Sequence, residues 1–245
     1  VEALYMEMGS IHELQLQQEE DAVDTYNRLL EVQPASLAAL DALERIHRSR
    51  ESWQDCVDTL EARAKAIVDS DEHVGVLLTI ASLWSTEMED PDGATSAFER
   101  VLELQPQHEQ AFTQLESLHR QAERWDALVD AYVGRIEEAH DAATKVPLLV
   151  AVAQIQEEHL GDPEQAFAAL QVAWEEDFTN ETTVAELERL AENTGEWNEL
   201  LQSANAMLKE GIEDESAKIA LCLSCARWYG DKLGHPEYAI PYYQQ

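Results

Sequence analysis

Basic side chains are scarce in this sequence. Sixteen Lys and Arg stand against 50 Asp and Glu, for a formal net charge of -34. A nucleic-acid backbone is held by cations that displace its counterions, so no nucleic-acid partner is expected. An anionic membrane surface is disfavoured on the same ground. Long apolar runs are also missing. None approaches the roughly 20 residues that span a bilayer, so direct membrane insertion of this segment is not expected. No leader is legible at the N-terminus. Nine Gly, scattered, leave no phosphate-binding G-x-x-x-x-G-K and no G-x-S-x-G nucleophile turn. Three Cys make no disulfide framework. That favours a reducing setting, and a cytoplasmic location over an oxidising one.

What the chain has in quantity is Ala, Leu, Glu and Gln, the residues of helices. Segments such as LDALERIHRS place apolar side chains three and four apart, the period of a helix with one buried face. Over this lies a longer period. Trp53, Trp125 and Trp197 are 72 residues apart, as are Ala22, Ala94 and Ala166, with Ala239 another 73 on. The pairs Leu43-Glu44, Leu115-Glu116 and Leu187-Glu188 keep the spacing, and so do Pro34 and Pro106, with Phe178 in the third place. Gly9, Ala81, Ala153 and Ala226 form a further series, each 13 residues before the Ala of the earlier one. A fixed period of this kind marks stacked supersecondary units, none able to bury its apolar face alone. We read three units over about 1–72, 73–145 and 146–217, and a partial one over 218–245. Each has room for four helices. The first residue, Val1, and the last, Gln245, both fall within apparent helices. The segment is therefore expected to be an excerpt of a longer array.

The turns agree. Asp90-Pro91-Asp92, Asp162-Pro163-Glu164 and His235-Pro236-Glu237 precede the second helix of units two, three and four. Asp suits the N-cap, Pro the first helical position, and the next acidic residue faces the positive end of the helix dipole. His235 is the weaker cap. Asp90 and its neighbours lack the ligand spacing of a calcium loop.

The first half of each unit resembles a tetratricopeptide repeat. Ala22, Tyr26, Leu29 and Pro34 follow that family's order of small, aromatic, apolar and proline positions, and Ala94, Phe98, Val101 and Pro106 follow it again. The small residues at Gly9, Ala81, Ala153 and Ala226 stand one place further from the Ala than the family pattern has, which predicts a longer turn. The second halves, opened by Trp53, Trp125 and Trp197, read as a divergent helix pair. The resemblance implies an all-α, right-handed superhelix of antiparallel helix pairs. It also implies a concave groove lined by the first helix of each pair, and a role in binding peptides or proteins rather than in catalysis.

The repeat register constrains each residue that could carry chemistry. Cys222 and Cys225 have the spacing of half a zinc or redox motif, but the register aligns them with Leu149 and Leu77, and with Val152 and Ile80. Cys56 aligns with Leu128 and Leu200. All three read as core residues, and no metal or cofactor is expected. The recurring Glu44, Glu116 and Glu188 have two readings. Either each holds neighbouring helices together, with Arg63 and Arg135 as partners, or they form an acidic ladder for a basic ligand. Trp84 stands where the other units have His12 and Gln156. A large aromatic in a polar place is a candidate partner anchor, with Ser82, Ser85, Gln154 and Glu157 on related faces. The competing reading packs Trp84 on the next helix. The expected function is thus a protein- or peptide-binding scaffold, its partner basic if the acidity selects one. The alternative is a non-catalytic part of a larger enzyme or assembly machine. The acidity is also compatible with adaptation to salt.

Overall fold

The computed structural model of the chain describes residues 1–244, all of whose regular structure is helical. The expected helical position of Gln245 lies outside the described residues. The helices fall into two compact units, Val1–Glu123 and Arg124–Gln245. The first holds α1 (Glu2–Ser10), α2 (Glu19–Val32), α3 (Leu37–Ser49), α4 (Trp53–Ala66), α5 (Ser70–Thr86), α6 (Pro91–Leu104) and α7 (Glu109–Gln121). The second holds α8 (Trp125–Glu138), α9 (Ala142–Ile155), α10 (Pro163–Glu176), α11 (Glu181–Thr194), α12 (Trp197–Glu210), α13 (Glu215–Arg227) and α14 (Pro236–Tyr243). Within each unit a helix packs on the one before and the one after it, joined by short turns. This is the layout of stacked helix hairpins, and the fold is all-α and tetratricopeptide-like.

Four helices recur in each 72-residue period, and side chains cap several of their starts. Asp90 accepts hydrogen bonds from the backbone N–H of Asp92 and Gly93, and Asp162 from that of Gln165. In each case Pro follows as the first helical residue. His235 makes no such cap. A further series, Asp69, Asp141 and Asp214, caps α5, α9 and α13 in the same way. The reciprocal groups are the free N–H donors that every helix start leaves behind.

The longer turn after the small residues takes a specific form. Helices α1, α9 and α13 run on into π-helical turns over Ile11–Gln15, Gln156–Leu160 and Trp228–Lys232. At the end of α5 the backbone N–H of Met88 donates to Leu83 O, and that of Asp90 to Trp84 O, a turn of the same width. One extra residue is thereby absorbed inside the helix end. A left-handed residue follows each time: Gln17, Glu89, Gly161 and Gly234, with φ of 55°, 52°, 67° and 70°.

The core follows the repeat. In the first unit Ala22, Tyr26, Leu29, Ala39, Leu43 and Ile46 form one buried cluster. Gly9 belongs to it for steric reasons, since a Cβ there would lie 2.4 Å from the Tyr26 ring. Later copies pair a larger residue with a smaller ring or none, Ala81 with Phe98 and Ala153 with Leu170. In the second unit Trp174, Leu187, Trp197, Leu200, Leu221, Cys225 and Trp228 pack together. All three Cys are buried and outside any disulfide. Burial raises the Cys56 thiol and pushes Cys225 up to about 12, so both are protonated side chains of the core near neutral pH.

Candidate interaction surfaces

The three repeated Trp are the first residues of α4, α8 and α12. In the second unit the π-helical turn of the following helix covers each ring. His159 stacks on Trp125 with ring centroids 3.6 Å apart and planes at 4°. Lys232 sits over Trp197, its Nζ 5.3 Å from the ring centroid, and Nζ also donates to Glu192 Oε2 at 2.8 Å. Trp228 leans on the same Trp197 at 6.4 Å, so Trp197 is buried. His159 and Lys232 occupy one position of the repeat, 73 residues apart.

In the first unit that position is Glu87. No ring or cation stands at contact distance over Trp53 among the described residues, and the side chain is half-buried. An open cleft of about 440 Å³ lies there instead, lined by Arg48, Trp53, Leu78, Thr79, Ser82, Leu83, Thr86 and Glu87. Arg48 is drawn away to Glu44 at 2.9 Å. Glu87 makes no ion pair within 4 Å among the described residues, and accepts only a 3.3 Å hydrogen bond from the adjacent Thr86 hydroxyl.

A second groove lies in the second unit between α11 and α13. Its walls are Trp174, Phe178, Val184, Leu221 and Trp228, and its rim includes Glu181, Glu188, Ser224 and Arg227.

The residues singled out in the sequence are distributed as follows. Trp84 faces α6. Gly93 lies against its indole, and a Cβ on Gly93 would come within 2.5 Å of the ring. The aligned residues are Asp21 and Gln165, opposite His12 and Gln156, so Trp84 and Gly93 are a matched large–small pair. Ser82 and Ser85 are exposed. Ser82 lines the Trp53 cleft rather than joining Trp84, and the Ser85 hydroxyl donates to Ala81 O. Gln154 is exposed. Glu157 takes both terminal nitrogens of Arg189, at 2.7 and 2.5 Å, and this guanidinium holds its carboxyl below the usual range. Arg45 clamps Glu13 one double period earlier, through Nε and one terminal nitrogen. In the intervening copy Ser85 and Ser117 replace both partners.

Glu44 bonds Arg63 Nη1 at 3.1 Å as well as Arg48. Glu116 bonds Arg120, one turn on, at 2.9 Å, and Arg135 is buried. Glu188 accepts the Trp228 indole N–H at 2.8 Å and is paired with Arg227. Each of the three thus sits beside a cation of its own unit. Of the terminal tyrosines, Tyr238 and Tyr243 are exposed. Tyr242 is half-buried and stacks on Tyr229 at 5.7 Å.

The three Trp are equivalent in the repeat spacing, and Glu87 is what sets the first apart. The signal was present at the 72-residue offset, where an acidic residue replaces the His and Lys of the later copies.

No protein-family model matches the chain, and no curated protein matches it. Among solved structures it is similar to YrrB, described as a TPR protein with an unusual peptide-binding site, with 14% identity, 75% of this chain and 90% of that one covered, and a TM-score of 0.34. It is similar to a chain of the Naa15/Naa10 complex bound to HypK-THB, with 16% identity and a TM-score of 0.45 over 99% of this chain, which spans 36% of that one. A tetratricopeptide repeat protein from Parabacteroides merdae gives 15% identity, 90% and 82% coverage, and a TM-score of 0.34. The tetratricopeptide-like character of the chain rests on its own helices, turns and repeat spacing.

Proposed function

We propose that the chain is a non-catalytic scaffold that binds a peptide or protein segment. The observation that carries this reading is the groove between α11 and α13. It offers aromatic and aliphatic walls to apolar side chains and a rim of mixed charge to a backbone or polar groups. Such open, partly apolar surfaces between stacked hairpins suit extended ligands, because burial supplies affinity while rim groups set register. The remaining surface is strongly acidic. Basic segments therefore approach faster than acidic ones, an effect that salt weakens.

The test is capture of partner proteins on the immobilised chain across a range of salt. Ala220, exposed on the groove, is replaced by Arg to fill it without touching the core. Loss of captured protein in Ala220→Arg supports the reading. Failure of the parent chain to retain any protein at any salt counts against it.

A further inference from the structure

The Trp53 cleft differs from its two repeats in one respect that bears on ligand chemistry. In the later copies the indole face carries a nitrogen side chain from the next hairpin, an imidazole in one and an ammonium in the other. Over Trp197 the ammonium is also fixed by a carboxylate, Glu192. The register places Arg48 where Glu192 stands and Glu87 where Lys232 stands. The charges are exchanged, and the covering group is gone. What remains is a half-buried indole face beside a carboxylate with no ion pair of its own, with Leu78 and Leu83 as apolar wall and Thr79 and Ser82 as hydroxyls.

From this we propose that the Trp53 cleft is a receptor for a lysine or arginine side chain of a partner. The cation lies over the indole as Lys232 lies over Trp197, and Glu87 takes the counter-ion role that Glu192 has there. The aliphatic stem of such a side chain packs on Leu78 and Leu83 while its charged head stays at the rim. Aromatic faces attract cations, and the attraction strengthens when a carboxylate is adjacent and water is partly excluded. Arg48 does not occupy the place, because Glu44 holds it. The proposal rests on the scaffold reading and names the chemistry of one contact within it.

The test uses the whole chain labelled with 5-fluorotryptophan, its six resonances assigned by single Trp→Phe variants. The probe is the peptide acetyl-Ala-Lys-Ala-Lys-Ala-amide, with the Glu counterpart as control. The expected result is a saturable shift of the Trp53 resonance, with Trp125 and Trp197 unmoved and no response to the Glu peptide. The double variant Arg48→Glu with Glu87→Lys rebuilds the Lys232–Glu192 arrangement at this seam. It should weaken lysine-peptide binding by about threefold or more, and unshifted Trp125 and Trp197 signals report that the fold is kept. An unmoved Trp53 overturns the proposal, as do equal shifts of Trp53, Trp125 and Trp197 that vanish with salt, or unchanged affinity in the double variant. If Trp53 fails to respond while the parent chain still captures partners and Ala220→Arg still loses them, this contact alone is wrong. If neither responds, the scaffold reading falls with it.

Discussion

The same seam is built twice with different finishes. In the second unit Trp197 is closed over by Lys232 and Trp228, whereas in the first unit Trp53 is left with an open cleft and an anion at the covering position. The helices and the placement of the indole at the start of its helix are alike, and Asp69 and Asp214 cap the helix that follows. A repeat frame needs the indole to fill the junction between hairpins. It does not need the cover. Where the cover is absent, the surface is free to act on something outside the chain.

The largest effects should come from removing the indoles. Trp197→Ala empties a packed site and should cost about 3–5 kcal/mol. Trp53→Ala removes a half-buried ring and should cost on the order of 1–2 kcal/mol. Urea unfolding followed by far-UV circular dichroism gives the ranking, and equal costs would erase the distinction between the seams. Next comes the large–small matching at the hairpin contacts. Gly9→Ala forces a methyl into the Tyr26 ring and should cost about 1–3 kcal/mol. Adding Tyr26→Leu, the pairing found at Ala153 and Leu170, should recover much of that loss in a double-mutant cycle.

Smaller again is the backbone term. Glu89 holds φ at 52° where the later copies have Gly161 and Gly234. Glu89→Gly should therefore raise the thermal midpoint by the equivalent of about 1 kcal/mol, and Gly161→Glu should lower it similarly. The smallest effect concerns His47, buried in the first unit, where the second unit has Ala191. Burial lowers its pKa, partly opposed by Asp55 and further lowered by Arg50. With the folded value below the unfolded one, the unfolded chain binds the extra proton. The contribution is intact above the unfolded pKa of about 6.5 and is lost as pH falls through the lower folded value. His47→Gln should flatten the stability profile in that window, and an unchanged slope would show that the ring is not the source.

The hairpin frame was legible because packing repeats. Small residues at Gly9, Ala81, Ala153 and Ala226, the Asp-Pro caps and the indole series all recur for steric or hydrogen-bonding reasons that any sequence in this fold must meet. The wide helix ends were legible only as a one-residue surplus, since a π-helical turn has no composition of its own. The candidate surfaces were harder to read. Trp84 stood out as an aromatic in a polar register. Its partner is Gly93, a residue whose importance lies in the side chain it lacks. Glu157 read as a groove residue because it lies on a face related to that of Trp84, yet Arg189, 32 residues away on α11, reaches it. The Trp53 cleft was hidden by the strength of the Trp series itself. Identity at one position drew attention from the charge change at the position that faces it.

The most direct measurement is the accessibility of the individual indoles, read from the broadening of assigned 5-fluorotryptophan resonances by a neutral, soluble nitroxide. The open-seam account predicts strong broadening of Trp53 and little of Trp197. It also predicts protection of Trp53 once Arg48→Glu and Glu87→Lys are introduced together. A Trp53 signal as protected as that of Trp197 in the parent chain would contradict it.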